Sequence, residues 1–515
     1  MLAPFLLNVL LVLSALLAGV SVFVFSRYSP SKAVWWLMAA ALCLRLALAS
    51  LDPFLHDWDE RFHALVAKNL MVDWLRPVLR QHPVLPYDYR AWCCNHVWVH
   101  KQPLFLWQIA ASFKLFGVNE LALRLPSALL GALLLWPVYR LGRLVFSPAV
   151  GYCAAVLLTF AYYQLGLTTG RQSVDHSDVA FMAYVTASIW AWYEGQCSTS
   201  GKGRWALLVG VFSGAAVLCK WLPGAVVYAG WALEMLLNPK LRSRGEYARY
   251  GLAVAVAALL VLPWQLYINR AFPLESTFER HYAALHFTQA LEDKAGPWYY
   301  YLNNLWYQYQ WLVLLIAAGI GWTATPRLRP RPVRLLLTTC LIVFVFFSAA
   351  ATKMVSYTYV VAPALLLLAA LGWVETSRWL RRRGAWGKWA VAGLAVAVVL
   401  ADLRPLGLLK HHTERFASAR LLPERQHKLV RTAVYRRLDA LVPAGYVVFN
   451  VPALEDTEAM FYSHRNVYSW WPTEEEYRLL RGQGMRMAAF SGRGVPQLPA
   501  YLQGPDVRII DAALE

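Results

Sequence analysis

Charge is scarce in this chain: 15% of its 515 residues are Asp, Glu, Lys or Arg, and 58% are hydrophobic. The apolar residues come in runs of about the ~20 needed to cross a bilayer, so the chain reads as an α-helical polytopic membrane protein. Cysteine is sparse too, and the seven present make no disulfide framework. Cys43, Cys153, Cys219 and Cys340 fall within apolar runs, and Cys197 lies in a basic loop. The adjacent Cys93-Cys94 pair is poorly placed to close on itself and has no other partner in the outer loops. No Gly-rich phosphate loop, Rossmann fingerprint, internal repeat or low-complexity tract is evident. Met1 to Asn8 has no basic residue while Arg27 follows the first apolar run, which argues against a secretory signal peptide.

Apolar runs cover 4–25, 33–50, 121–146, 150–167, 179–193, 205–221, 224–237, 251–266, 311–324, 335–350, 360–374 and 389–400. They predict about 12 spans, or roughly 11 to 13 once short and merging runs are allowed for. A formal charge of +19 would point to nucleic acid in a soluble protein, but here its placement reports topology. Basic residues crowd alternate loops: Arg27 and Lys32; Arg140 and Arg143; Lys202 and Arg204; Lys240, Arg242, Arg244 and Arg249. The alternation continues with Arg327, Arg329, Arg331 and Arg334, then Arg378, Arg381, Arg382, Arg383 and Lys388. The positive-inside rule makes these loops cytoplasmic and puts the N-terminus, the 56–101 loop, the loop after Leu266 and the C-terminal tail outside.

Two outer segments, 51–120 and 267–310, are too long for simple connectors. The first contains an amphipathic helical pattern over 62–75 and an aromatic stretch over 103–116 suited to the membrane interface. The second carries Arg270, Glu279, Arg280, His281, His286 and the run Trp298-Tyr299-Tyr300-Tyr301, which reads as an interfacial belt ahead of a sugar-stacking platform. From about Leu403 the pattern becomes that of a soluble protein. Strands are expected at 446–451, 487–491 and 507–511, with a helix at 473–483 opened by a Thr473 cap. The expected division is a membrane domain at 1–404 and a small extracytoplasmic α/β domain at 405–515.

Candidate chemistry lies in the outer loops. Asp57, Asp59 and Glu60 are close enough in sequence for mutual repulsion to raise one proton affinity, as suits a general base; a solvated turn capping the next helix is the competing reading. Lys101 and Arg280 have no positive-inside reason to be outside, so both are candidates for binding an anion. Lys353 shares that face and reads either as a phosphate contact or as a snorkelling lysine. His96 and His100 at a four-residue spacing, with His281, form a candidate divalent-metal set; hydrogen bonding to substrate or carboxylate is the preferred reading. Asp175 reads as an acceptor-orienting residue or an interfacial helix cap.

The segment Asp59-Glu60-Arg61-Phe62-His63-Ala64-Leu65-Val66-Ala67-Lys68-Asn69-Leu70 resembles the Asp-Glu loop and following helix of the GT-C glycosyltransferases in the protein O-mannosyltransferase and lipid A aminoarabinose transferase group. His100-Lys101-Gln102-Pro103-Leu104-Phe105-Leu106-Trp107 is similar to that group's Lys-Pro-Pro-Leu segment. Phe113 to Glu120 followed by Arg124-Leu125-Pro126-Ser127-Ala128 resembles its next landmark. Arg280-His281, then Gly296 to Leu302, and Lys353 with Tyr357 to Pro363 match further on, so the resemblance runs in order from about Leu51 to Leu371. Three features depart from the pattern: Phe62 stands where an arginine is common, His100 stands where an acid is common, and the apolar span before Ala33 is additional.

The resemblance implies an inverting, integral-membrane sugar transferase using a polyprenyl-phosphate-linked donor. Asp59 then falls on the catalytic aspartate and Lys101 on the phosphate-contacting lysine, with Arg280 and Lys353 as further donor contacts. Asp57, Glu60, Arg61, His100, Asp175, His281 and Tyr357 are supporting or acceptor-binding candidates. The expected acceptor is lipid A, another glycolipid, a glycan or a protein, at the outer face of the inner membrane. Membrane lipids surround the chain, nucleic acid is not a partner, no cofactor is required and a divalent metal is an option. A lipid-linked-sugar transporter or flippase is the alternative; it would place ionisable residues near mid-membrane and repeat its halves, whereas here they cluster at the outer ends.

Overall fold

The computed structural model describes residues 4–91, 95–172, 176–324, 330–410, 421–491 and 499–511, with the backbone alone at 4, 330–332, 410, 421 and 422. Cys93, Cys94, Asp175, Arg327, Arg329 and the Arg331 side chain lie outside the described residues.

Every one of the apolar runs lies on a helix or a broken helix pair. Seven helices are long and apolar enough to cross a membrane, or eight if Pro148–Thr159 and Tyr162–Thr168, bent by 53°, form one span. Leu222–Leu237, Leu312–Thr323 and Val333–Ala349 are apolar but shorter, and His176–Cys197 carries the remaining run. The chain is thus a multi-pass membrane protein. Close helix approach depends on small residues, as expected where lipid is as apolar as the side chains. A Cβ added at Gly319 on Leu312–Thr323 would lie 1.9 Å from the Leu368 carbonyl oxygen of helix Ala362–Arg381.

Three features of the segments around residues 59–116 and 456–462 position the site. Helix Asp59–Leu70 ends short of the predicted Leu75, and ten of its twelve residues are buried. Its burial comes from two helices that pack on it, Leu104–Phe116 and Asp456–Tyr462. The chain between 77 and 98 folds back on itself: Leu79 donates to the His96 carbonyl (2.9 Å) and Trp98 to that of Pro77 (2.9 Å). Asn69 ties this fold-back to the helix through the carbonyls of Val78 (2.8 Å) and Leu79 (3.1 Å).

The C-terminal part carries helix Leu421–Arg436 and a three-stranded parallel sheet of β1 (Tyr446–Phe449), β2 (Arg486–Phe490) and β3 (Val507–Ile510), in the order β1-β2-β3. Val447 pairs with Met487, and Ala489 with Ile509. Parallel neighbours need crossovers; that from β1 to β2 contains helices Asp456–Tyr462 and Glu474–Gly482, and that from β2 to β3 contains the short 3-10 turn Ala500–Leu502. Thr473 caps the latter in a reciprocal capping box with Glu476, the start that its sequence predicts.

Candidate active site

Asp59 is the first residue of helix Asp59–Leu70, where the macrodipole favours an acid. The preceding Trp58 has φ 67, and the tryptophan that follows Lys220 has φ 64. Positive φ is uncommon for a bulky residue, and such strain gathers where surrounding contacts impose a geometry. Asp59 Oδ2 lies 3.4 Å from Lys101 Nζ. The fold-back makes this meeting possible, because it sets Trp98 parallel to Phe62 (6.1 Å between centroids) and edge-on to His63 (5.3 Å), leaving Lys101 at the helix start.

Burial alone would raise the Asp59 carboxyl, but Lys101, then His63, His100 and Lys220, outweigh it and hold it at about 2. Lys220 ends helix Lys202–Lys220, is ion-paired to the buried Asp178 carboxylate and lies 5.5 Å from the Tyr357 ring centre. His63 is buried against Phe105 (4.8 Å), and that burial lowers its proton affinity well below the ordinary value. His100 Nδ1 is 2.9 Å from Glu279 Oε2 on helix Pro273–Thr288. Asp59, Lys101 and His100 therefore form one cluster, extended by Lys220, Asp178 and Tyr357.

Glu60 turns away from this cluster into a buried hub. It accepts from Arg124 Nε (2.8 Å) and Nη2 (3.1 Å), from the His56 amide (2.6 Å), and lies 3.2 Å from His176 Nε2. Arg124 also donates to the carbonyls of Ala49 (3.0 Å), Asp52 (2.8 Å) and Phe54 (2.8 Å), fixing the chain that leads into the site. Gly170, at φ +74, abuts this hub, and a Cβ there would lie 2.3 Å from Glu60 Oε1. Glu60 is thus held in this buried hub and not in the Asp59–Lys101 cluster.

The expected repulsion among the three acids is corrected. Successive residues at a helix start point in different directions, so Asp57, Asp59 and Glu60 each find their own cations and none is raised. Against the effect of burial, Lys428 and Arg61 lower Asp57, and Arg124 with His176 holds Glu60 below the carboxylate range. Arg61 also faces away from Asp59: its Nη2 is 2.8 Å from Asp57 Oδ1 and its Nε 2.9 Å from Glu458 Oε2.

Other candidates are dispersed. The stretch from Asn95 to His100 is not helical, so His96 and His100 share no helix face. His96 packs on Tyr87 (4.2 Å between centroids), and burial, then Arg80, presses its imidazole down to about 4. His281 is exposed. Among the described residues, no three His, Cys, Asp or Glu side chains are placed to hold a metal ion. Arg280 is exposed and donates within its own helix, to the Ser276 carbonyl (3.3 Å) and Thr277 Oγ1 (3.3 Å). Lys353 is buried and caps the end of helix Pro330–Ala349, donating to the carbonyls of Phe347 (3.3 Å), Ser348 (2.6 Å) and Ala350. Its ammonium is thus engaged by a helix end.

Lys220 and Asp178 were absent from the expected site set. Their signal was available: by the alternation of basic loops Lys220 ends a span on the outer side, the same position without a topological reason that singled out Lys101. Arg124 was legible as a motif residue but not as the partner of Glu60.

A family model described as dolichyl-phosphate-mannose-protein mannosyltransferase matches residues 100–267. The chain is 29% identical over 312 residues to an undecaprenyl phosphate-alpha-4-amino-4-deoxy-L-arabinose arabinosyl transferase of Pseudomonas fluorescens strain Pf0-1, covering 59% of this chain and 52% of that protein. It is 31% identical over 275 residues to one of strain Pf-5, covering 52% and 47%. The chain spans about half the length of the curated relatives it matches. Among solved structures, ArnT from Cupriavidus metallidurans bound to undecaprenyl phosphate superposes with a TM-score of 0.60 at 18% identity, covering 89% of this chain and 85% of that one. The archaeal oligosaccharyltransferase AglB from Archaeoglobus fulgidus gives 0.57 at 13% identity, covering 86% and 64%.

The fold is therefore that of the GT-C glycosyltransferases. Within it, the chain is similar over residues 100–267 to the mannosyltransferase family model and over rather more than half its length to the arabinosyl transferases.

Proposed function

We propose that this chain transfers a sugar from a polyprenyl-phosphate donor to a hydroxyl or phosphate of lipid A, another glycolipid, a glycan or a protein, at the outer face of the inner membrane. The observation that carries the reading is the Asp59–Lys101 pair at the strained helix start, with the Lys220–Asp178 pair beside it. Lys101 and Lys220 meet the donor phosphate, and Arg280 is exposed on the same side to join them. An acceptor hydroxyl attacks the anomeric carbon as the bond to the phosphate oxygen breaks; its proton goes to Asp59, and the lipid phosphate leaves with its electron pair.

A carboxylate held at about 2 is a weak base in the empty site. A phosphate that engages Lys101 and Lys220 withdraws those cations and raises the basicity of Asp59 as the donor arrives. One direct displacement inverts the anomeric configuration. Where the acceptor is a phosphate, no proton needs removing and Asp59 orients the nucleophile.

The same reading takes the twelve apolar runs as spans, residues 1–404 as the catalytic membrane domain and 405–515 as an extracytoplasmic domain. It requires no metal, since lysines neutralise the leaving group, so transfer is expected to persist in chelator. Complete loss, restored by one divalent ion, overturns that part.

The test is transfer by the purified full chain in detergent, with an undecaprenyl-phosphate-linked sugar and envelope glycolipid, glycan or protein acceptors, followed by mass spectrometry. Asp59→Asn should lower the rate by ~10² to 10⁴, the usual cost of losing a general base. Near-normal turnover by Asp59→Asn overturns the assignment, and donor translocation without transfer replaces it with transport.

A further inference from the structure

The residues two before and two after Asp59 are both held by the C-terminal segment. Asp57 Oδ2 is 2.8 Å from Lys428 Nζ on helix Leu421–Arg436. Arg61 meets Glu458 at 2.9 Å and Glu455 at 3.6 Å, and all three side chains are buried. Glu455 accepts from Arg431 (2.6 Å) and Tyr435 (2.6 Å), and Glu458 from Thr432 (3.0 Å). The acids Asp57, Glu455 and Glu458 thus meet the cations Arg61, Lys428 and Arg431 in one connected network.

The clamp continues on both sides. Arg425 lies 3.3 Å from Asp52 and donates to the Leu51 carbonyl (3.0 Å), while Arg436 donates to that of Pro53 (2.9 Å). About two helical turns beyond Arg61, Lys68 Nζ donates to the carbonyls of Met460 (2.9 Å), Phe461 (2.8 Å) and Ser463 (2.9 Å), closing the end of helix Asp456–Tyr462. The positive φ of Trp58 falls inside the clamped stretch. Such a conformation persists only where its surroundings over-determine it, and here the fixed points on the outer side come from residues 425–463.

Resting on the glycosyltransferase reading, we propose that helix Leu421–Arg436 and the Glu455–Glu458 segment are the positioning frame of Asp59, acting through Asp57 and Arg61 to hold the carboxylate at its distance from Lys101. The C-terminal segment therefore sets turnover without touching the reacting atoms. Lys428, Arg425 and Glu455 are positioning residues.

The test uses partly exposed members so that folding is spared. In the full-length detergent-solubilised chain, Lys428→Met with Arg425→Met should lower kcat by about tenfold to about 10²-fold, the scale of a misplacement near 1 Å, and leave the donor KM within about twofold. Amide exchange over 57–62 should quicken, the melting temperature should hold within a few degrees, and Lys428→Arg with Arg425→Lys should restore turnover. Unchanged kcat with unchanged exchange over 57–62 overturns the proposal. So does a fall in kcat that only follows the folded fraction or that neither conservative replacement rescues. Asp59→Asn, assayed in parallel, separates the two readings: retained turnover there overturns the transferase assignment, whereas its loss beside a fully active Lys428→Met/Arg425→Met protein overturns the frame alone.

Discussion

At the scale of single residues, the three acids at 57, 59 and 60 are told apart by the cation each one meets. Asp59 meets Lys101, which is part exposed and open to a ligand. Glu60 is locked in a buried bidentate pair, and Asp57 is tied to the C-terminal helix. Lys101→Ala removes a charge that meets phosphate before and during transfer. A hydrogen bond to a charged group is worth about 1.5–3 kcal/mol, so donor affinity should fall by roughly ten- to 10²-fold and turnover with it. Lys220→Met should behave in the same direction, measured by donor titration and initial rates. Undiminished donor affinity in both variants removes the phosphate role from this pair.

At the scale of elements, two helices, Asp59–Leu70 and Asp456–Tyr462, depend on buried charge. Removing one partner of the Glu60–Arg124 pair leaves an uncompensated buried charge, which typically costs about 3–5 kcal/mol. Glu60→Gln is therefore expected to lower the melting temperature sharply, whereas Asp59→Asn should leave it nearly unchanged; equal melting of the two variants would contradict the division between hub and site.

Glu458 provides a pH signature. Burial pushes its carboxyl up to about 7 despite Arg61, and the neighbouring Glu455 adds to the rise. A folded-state value above the unfolded one favours folding while the group is protonated. This contribution is complete below about 4.5 and is lost as pH rises through 7. The wild type should accordingly lose melting temperature relative to Glu458→Gln between pH 5 and pH 8. Parallel curves across that window would remove the assignment.

At the scale of the whole molecule, the alternation of basic loops predicts that Asp59, His281, Lys353 and the C-terminal segment share one side. Membrane-impermeant thiol labelling of intact cells should reach His281→Cys and a cysteine in the tail but not Lys388→Cys. Labelling of Lys388→Cys from outside reverses the topology. The contacts between the tail and residues 51–68 are independent support for placing those two parts on the same side.

Much of this architecture follows from the sequence alone, because it depends on local periodicity. Runs of apolar residues fix where helices lie, short apolar runs bounded by Gly, Pro, Asn, Asp and Ser fix β1 to β3, and Thr473 with Glu476 fixes a helix start. The ordered motifs bring Asp59 and Lys101 to notice for the same reason, each being a short contiguous signal. What only the tertiary structure decided is which charges meet. The fold-back of 77–98 delivers Lys101 to Asp59, a distant helix delivers Lys220, and the C-terminal segment takes Arg61 and Asp57. Lys353 is drawn to a helix end, and the three histidines of the expected metal set are parted. Proton affinity follows the charges around a group in space, so the expected upward shift among neighbouring acids became a downward one once each acid had found its own cation.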